Sequence, residues 1–226
     1  MRGGKVVRRE KAVNEIIAAV RNYLKVFREL SIKLIVNPAG FFRAMPKTGG
    51  LVDPLLYVVM TSLLGVVFST VISFVTRGVG LHGLGQIAIW LAIVPLITLI
   101  MSFFIAAISF AIWSFTGSNE NYETSYRCLA YMHILMPISI VLSIVPYMGL
   151  LVIVWWLYLI MIATREVHKV QIMNALLAFG VIAAMFGVVY YSSVSSTMNS
   201  KRHLEEFTKE LKKVPSTGDL DSAIKR

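Results

Sequence analysis

Charge is what this sequence has least of. Charged side chains make up 15% of its 226 residues, where a soluble domain of that size carries about a quarter. From Leu129 to Ala163 there is none at neutral pH, and His133 is the one side chain there that can gain a proton near neutrality. Cysteine is almost absent: Cys128 stands alone, which excludes an intrachain disulfide and reads as a small inert hydrophobe. No Ser-His-Asp order, no HExxH and no Walker lysine appears, so no catalytic residue is expected. Two carboxylates with one histidine are a poor ligand set, so neither metal nor cofactor is expected. No module interleaves basic and aromatic residues, which argues against nucleic acid as a partner. The glycines of residues 76–86 follow no strand and do not suggest a phosphate cradle. The first strongly apolar run begins at Leu51, so no signal peptide is expected.

What is there instead is apolar: 57% of the residues are hydrophobic, in long uninterrupted blocks. Blocks without a 3.6 or 2.0 period point to lipid and not to a water-facing core. The central block, 129–163, would make one helix roughly 52 Å long, against a hydrocarbon core of about 30 Å. It must fold back, and Pro146-Tyr147-Met148-Gly149 marks the place. Two short spans are expected, 129–146 and 148–164. Trp155 and Trp156 lie too deep for an interface belt and are expected to pack on protein, near Pro137 or Ser143. Further spans are expected at 54–75, at 87–115 with a bend at Pro95, and at 174–195. The fold class is therefore all-α: a polytopic membrane protein of five transmembrane helices with an N-terminal amphipathic helix.

Three regions follow. Residues 1–53 form a cytoplasmic basic arm with an aromatic loop, 54–195 the five-span domain, and 196–226 a charged tail. Residues 1–11 read as a frayed end. From 12 to 36 a helical stripe of Val13, Ile16, Ile17, Val20, Tyr23, Leu24, Phe27, Leu30, Leu34 and Ile35 opposes a charged face. Arg21, Lys25, Arg28 and Lys33 on that face, with Phe41 and Phe42 in a loop after Asn37-Pro38, are candidates for binding an anionic membrane surface. Arg43 and Lys47 would reach the same headgroups. The alternative is a helix packed on the protein's own cytoplasmic ends. In the tail, Leu204, Phe207, Leu211 and Val214 share one side of a charged helix, which Pro215-Ser216-Thr217-Gly218 ends.

Small residues recur at close-packing spacing: Thr61, Gly65, Ser69 and Ser73 in the first span, Gly180, Ala184 and Gly187 in the last. They suit either a homo-oligomer face or packing within one chain. His133, beside Tyr131, is either a functional group at depth or a neutral imidazole bonded to a neighbouring helix. Glu120, Glu123, Arg127, Arg165, Glu166 and His168 should converge on one face, as a partner site or as an ion-pair belt, with Asp53 a further candidate. Eleven Lys/Arg among residues 1–53 favour a cytoplasmic N-terminus. Five spans then export the tail, against which Lys201 and Arg202 argue.

In order and spacing, several pieces resemble the Yip1 domain family of five-span membrane proteins. They are NPAGFF at 37–42, VDPLLY at 52–57, YRCLAYMHILMP at 126–137, VPYMG at 145–149, VWWLYLIMIATREVHKV at 154–170 and NALLAF at 174–179. Asp53-Pro54 is similar to a reduced DLYGP motif, and AYMHILMP to the GY-x-P element with Ala130 in place of glycine. In eukaryotes the family implies Golgi and endoplasmic reticulum membranes, Rab GTPase binding and vesicle traffic. This chain looks more like the prokaryotic members, which implies a bacterial inner membrane. The expectation is a non-enzymatic protein that organises membrane shape or recruits an unknown protein partner, with lipid, anionic lipids above all, and a second copy as further partners. The alternative is a transporter or channel with a polar cavity lined by His133, Tyr131 and the hydroxyls of the first span.

Overall fold

The computed structural model describes residues 3–77 and 81–211, and among them all regular structure is helical. Eight helices follow in order: α1 (Gly3–Val36), α2 (Pro38–Ala44), α3 (Val52–Arg77), α4 (Leu81–Phe115), α5 (Tyr122–Met132), α6 (Leu135–Leu142), α7 (Gly149–Glu166) and α8 (Ile172–Leu211). Five segments are long and apolar enough to cross a membrane: α3, α4, α5 with α6, α7 and α8. α3 packs along α4 and α6, α7 along α8, and α5 touches α1, α3, α4 and α7. The α5–α6 segment is the least apolar of the five, with mean hydropathy 1.3, yet the most enclosed. A span shielded from lipid by its neighbours can carry polar groups, provided they are bonded.

Several boundaries differ from those expected, each for a local reason. Residues 3–11 continue α1 and are not frayed. Pro38 opens α2 at its first position, where a missing N–H costs nothing, and the Asn37 side chain accepts from Gly40 N at 2.9 Å. The expected loop is therefore a short helix. The third span begins at Tyr122, seven residues before its charge-free run, because its polar start is satisfied internally. Asn121 caps Thr124 N, the Tyr126 and Ser102 hydroxyls pair at 2.9 Å, and the Tyr122 hydroxyl donates to Phe103 O at 3.0 Å. Pro137 then breaks the span. It has no N–H for the His133 carbonyl four residues back, which accepts instead from Met136 N at 2.9 Å.

The fold-back also differs. α6 stops at Leu142, four residues before Pro146. Pro146 and Tyr147 occupy the centre of a turn closed by Met148 N to Val145 O at 3.2 Å, with Tyr147 at φ 65°. That is the position at which a type II turn usually carries glycine. Gly149 serves a different purpose, close approach: a Cβ there would overlap the Tyr190 phenol of α8. Trp156 meets Phe179 of α8 edge-on, and Trp155 is part-exposed beside Tyr158. α8 runs unbroken through the expected end at 195, about 60 Å in all at 1.5 Å per residue. Leu204 and Phe207 are exposed on it. Val214 and the 215–218 stop lie outside the described residues.

Candidate functional site

The segments between α2 and α3, α4 and α5, and α7 and α8 meet at one end of the bundle. Their centre is Arg127, whose side chain is 2% exposed. A buried guanidinium is tolerable only if its donors are met. Arg127 Nε donates to Glu123 Oε1 at 3.2 Å, and its terminal nitrogen donates to the Gly50 carbonyl. Glu123 Oε1 also accepts from Gly50 N at 2.8 Å, so Gly50 is held through both its N–H and its carbonyl. Gly49 and Gly50 sit at φ 123° and 84°, where a side chain is strained, and a Cβ on Gly49 would press on Arg127 at 3.2 Å. The Thr124 hydroxyl donates to Lys47 O at 3.1 Å, and the Lys47 ammonium pairs with Glu120. Arg43 Nε donates to Glu166 Oε2 at 3.0 Å, tying α2 to the end of α7.

Glu120, Glu123, Arg127 and Glu166 are thus brought together, as their loops suggested. Arg165 stays on the rim, 3.9 Å from Glu166 and 72% exposed. Asp53 is exposed in the first turn of α3. Arg43 and Lys47 pair with Glu166 and Glu120 and still remain exposed. One assignment is corrected. Phe41 and Phe42, expected at the lipid interface, are buried at 8% and 1%. Phe41 meets Tyr131 at 5.3 Å, and Tyr131 meets Tyr57 at 5.1 Å, so these rings form a core under the polar end. Phenylalanine reads alike whether it faces lipid or protein, and no signal in the sequence separates the two.

α1 joins this core by its last turns. Phe27 meets Tyr57 at 4.9 Å, Ser31 Oγ lies 2.8 Å from the Tyr57 hydroxyl, and Leu34 is fully buried. Tyr23 lies half-buried; burial, with Asp53 adding, pushes its phenol up to about 12. Arg21, Lys25, Arg28 and Lys33 all remain exposed.

His168, expected on the same charged face, is buried. It stacks on Trp113 at 3.8 Å, and its Nδ1 lies 2.8 Å from Ser118 Oγ, while Nε2 has no partner. Burial, with Lys47 adding, pushes it down from 6.5 to about 3, so the ring is neutral. Trp113 in turn donates to Thr164 Oγ1 at 2.8 Å. Neither Trp113 nor Ser118 was foreseen; an indole within an apolar block carries no mark of its partner. His133 Nδ1 donates to Leu129 O at 3.1 Å, within its own helix and not across to a neighbour. Thr61 is buried, and Gly65 faces α6, where Ile140 would meet a Cβ at 3.2 Å. Ser69 is exposed, and Gly180 and Gly187 have open space at their Cβ positions, with Ala184 exposed beside them. Among the described residues no three His, Cys, Asp or Glu gather as metal ligands would.

No curated protein and no solved structure matches the chain significantly. The model of the Yip1 domain matches residues 32–194, from the last turn of α1 into α8. With five helices fit to span a bilayer, the chain is an integral membrane protein and belongs to the Yip1 family.

Proposed function

We propose that this protein is a non-enzymatic organiser of its membrane, shaping the bilayer or recruiting partners through the polar end, with its N-terminus in the cytoplasm. One observation carries the reading. α1 is held by its last turns and by α2 on the polar end, while Arg21, Lys25, Arg28 and Lys33 stay exposed. The eleven Lys/Arg of residues 1–53 support a cytoplasmic polar end, and the likeness to prokaryotic members supports a bacterial inner membrane. The open small-residue faces at Ser69 and at Gly180, Ala184 and Gly187 suit a second copy of the chain.

A transporter has less support. The hydroxyls of Thr61, Ser62 and Thr70 donate to carbonyls of their own helix, Tyr131 is enclosed by rings, and His133 bonds Leu129. Side chains lining a hydrated path would point into it. Reconstitution separates the two. The organiser changes vesicle shape in electron cryomicroscopy and leaks no solute. Unaltered vesicles with solute flux would establish the transporter.

A further inference from the structure

α1 has one apolar ridge and two surroundings. Val13, Ile17, Val20, Leu24, Phe27, Ser31 and Leu34 follow one another four and three residues apart, the spacing of one helix face. From Phe27 onward the ridge is docked on Tyr57 and the core. From Leu24 back it is open: Val13 is 52% exposed, Ile17 50%, Val20 53% and Leu24 46%. The face that binds protein at one end therefore continues, unchanged in character, beyond the protein's edge. Tyr57 lies little more than one turn inside α3, so the docked half sits near the depth of a span's first turns. Beside the bundle at that depth is the headgroup layer.

Charge selects the occupant. Over Gly3–Val36 there are eight Lys/Arg against three Glu. Two copies of α1 laid ridge to ridge would repel, and Arg21 and Arg28 would flank the seam with no acid to meet them. Deepening the reading above and resting on it, we propose that the free half of α1 lies in the headgroup layer of the bilayer that the protein itself spans, bound to anionic lipid. The ridge enters the interface, and Arg21, Lys25 and Arg28 reach phosphates from its edge with their alkyl stems laid over the apolar side. The docked half holds the free half beside the surface, so binding is intramolecular and needs little intrinsic affinity.

The test uses the full chain in liposomes with an environment-sensitive fluorophore at Val20→Cys, or at Glu29→Cys on the polar face. Cys128 is buried and leaves little background. In anionic vesicles the Val20 probe is expected to be dry and the Glu29 probe wet. Neutral lipid, high salt or joint replacement of Arg21, Lys25, Arg28 and Lys33 by Gln should wet the Val20 probe, weakening binding about fivefold per cation removed. A Val20 probe that is wet in anionic vesicles overturns the proposal. So does dryness that persists in neutral lipid, that rises with protein density and marks a second copy, or that needs a second vesicle and marks a facing membrane. Vesicle shape is scored in the same samples. A wet probe on reshaped vesicles ends this inference alone, whereas solute flux without reshaping ends the organiser reading.

Discussion

Arg127 shows how a charge is kept inside a membrane protein. Its guanidinium is planar and forked, so it meets a carboxylate and a backbone carbonyl at once, which an ammonium on a flexible stem does less well. Arg127→Leu leaves the Gly50 carbonyl without its donor and Glu123 with the Gly50 N–H alone, and the expected loss is about 1–3 kcal/mol. Arg165→Ala, on the exposed rim, should cost under about 1 kcal/mol. Thermal melting of the two variants in detergent checks the contrast, and equal melting would remove Arg127 from its central place. His168 supplies a pH dependence with a definite sign. Its folded value, about 3, lies below the ordinary 6.5, so the unfolded chain binds the extra proton. Stability is full above about 6.5 and falls as the pH drops toward 3. His168→Phe should flatten that slope in a melting series across the window, and an unchanged slope would assign it to other groups.

At the scale of the element, breaks and close approaches matter more than propensity. Pro137 divides the third span by removing the donor four residues after His133, whose carbonyl turns to Met136 N, and the Pro146-Tyr147 turn reverses the chain after α6 has already ended. Gly149 is fixed by its neighbour and not by its backbone. Gly149→Ala drives a methyl into Tyr190 and should cost about 1–3 kcal/mol as overpacking does. Tyr190→Ala opens that space, so the double variant should recover most of the loss. Additive losses in a double-mutant cycle would deny the contact. Replacing Pro146 and Gly149 together by Ala should lower the melting temperature far more than Pro95→Ala. α4 already runs as one helix through Pro95, so alanine there restores an N–H and disturbs no turn.

For the whole molecule the open matter is which side each end faces. The polar-end loops share one side by direct contact, since Lys47 joins Glu120 and reaches Val167 O at 3.4 Å. A membrane-impermeant thiol reagent should therefore label Asn119→Cys and Lys169→Cys from one side, the cytoplasmic one, and Ile144→Cys from the other. All three side chains are exposed. Ser200→Cys on the extension of α8 should label with Ile144→Cys. Labelling it together with Asn119→Cys would mean that α8 does not cross.

That the chain lives in lipid, how many spans it has, where it folds back and which family it resembles are legible in the order of its residues. Those properties are written in the length and charge of consecutive residues, which the bilayer reads locally. What the polar and aromatic residues do depends on how segments distant in the chain pack together. Phe41 and Phe42 belong to a protein core, Arg43 and Lys47 to carboxylates, and His168 to Trp113. The start of the third span at Tyr122 was hidden for the same reason. Its polar side chains are satisfied by partners as distant in sequence as Gly50 and Ser102, and a pairing between segments far apart leaves no period or spacing in either one.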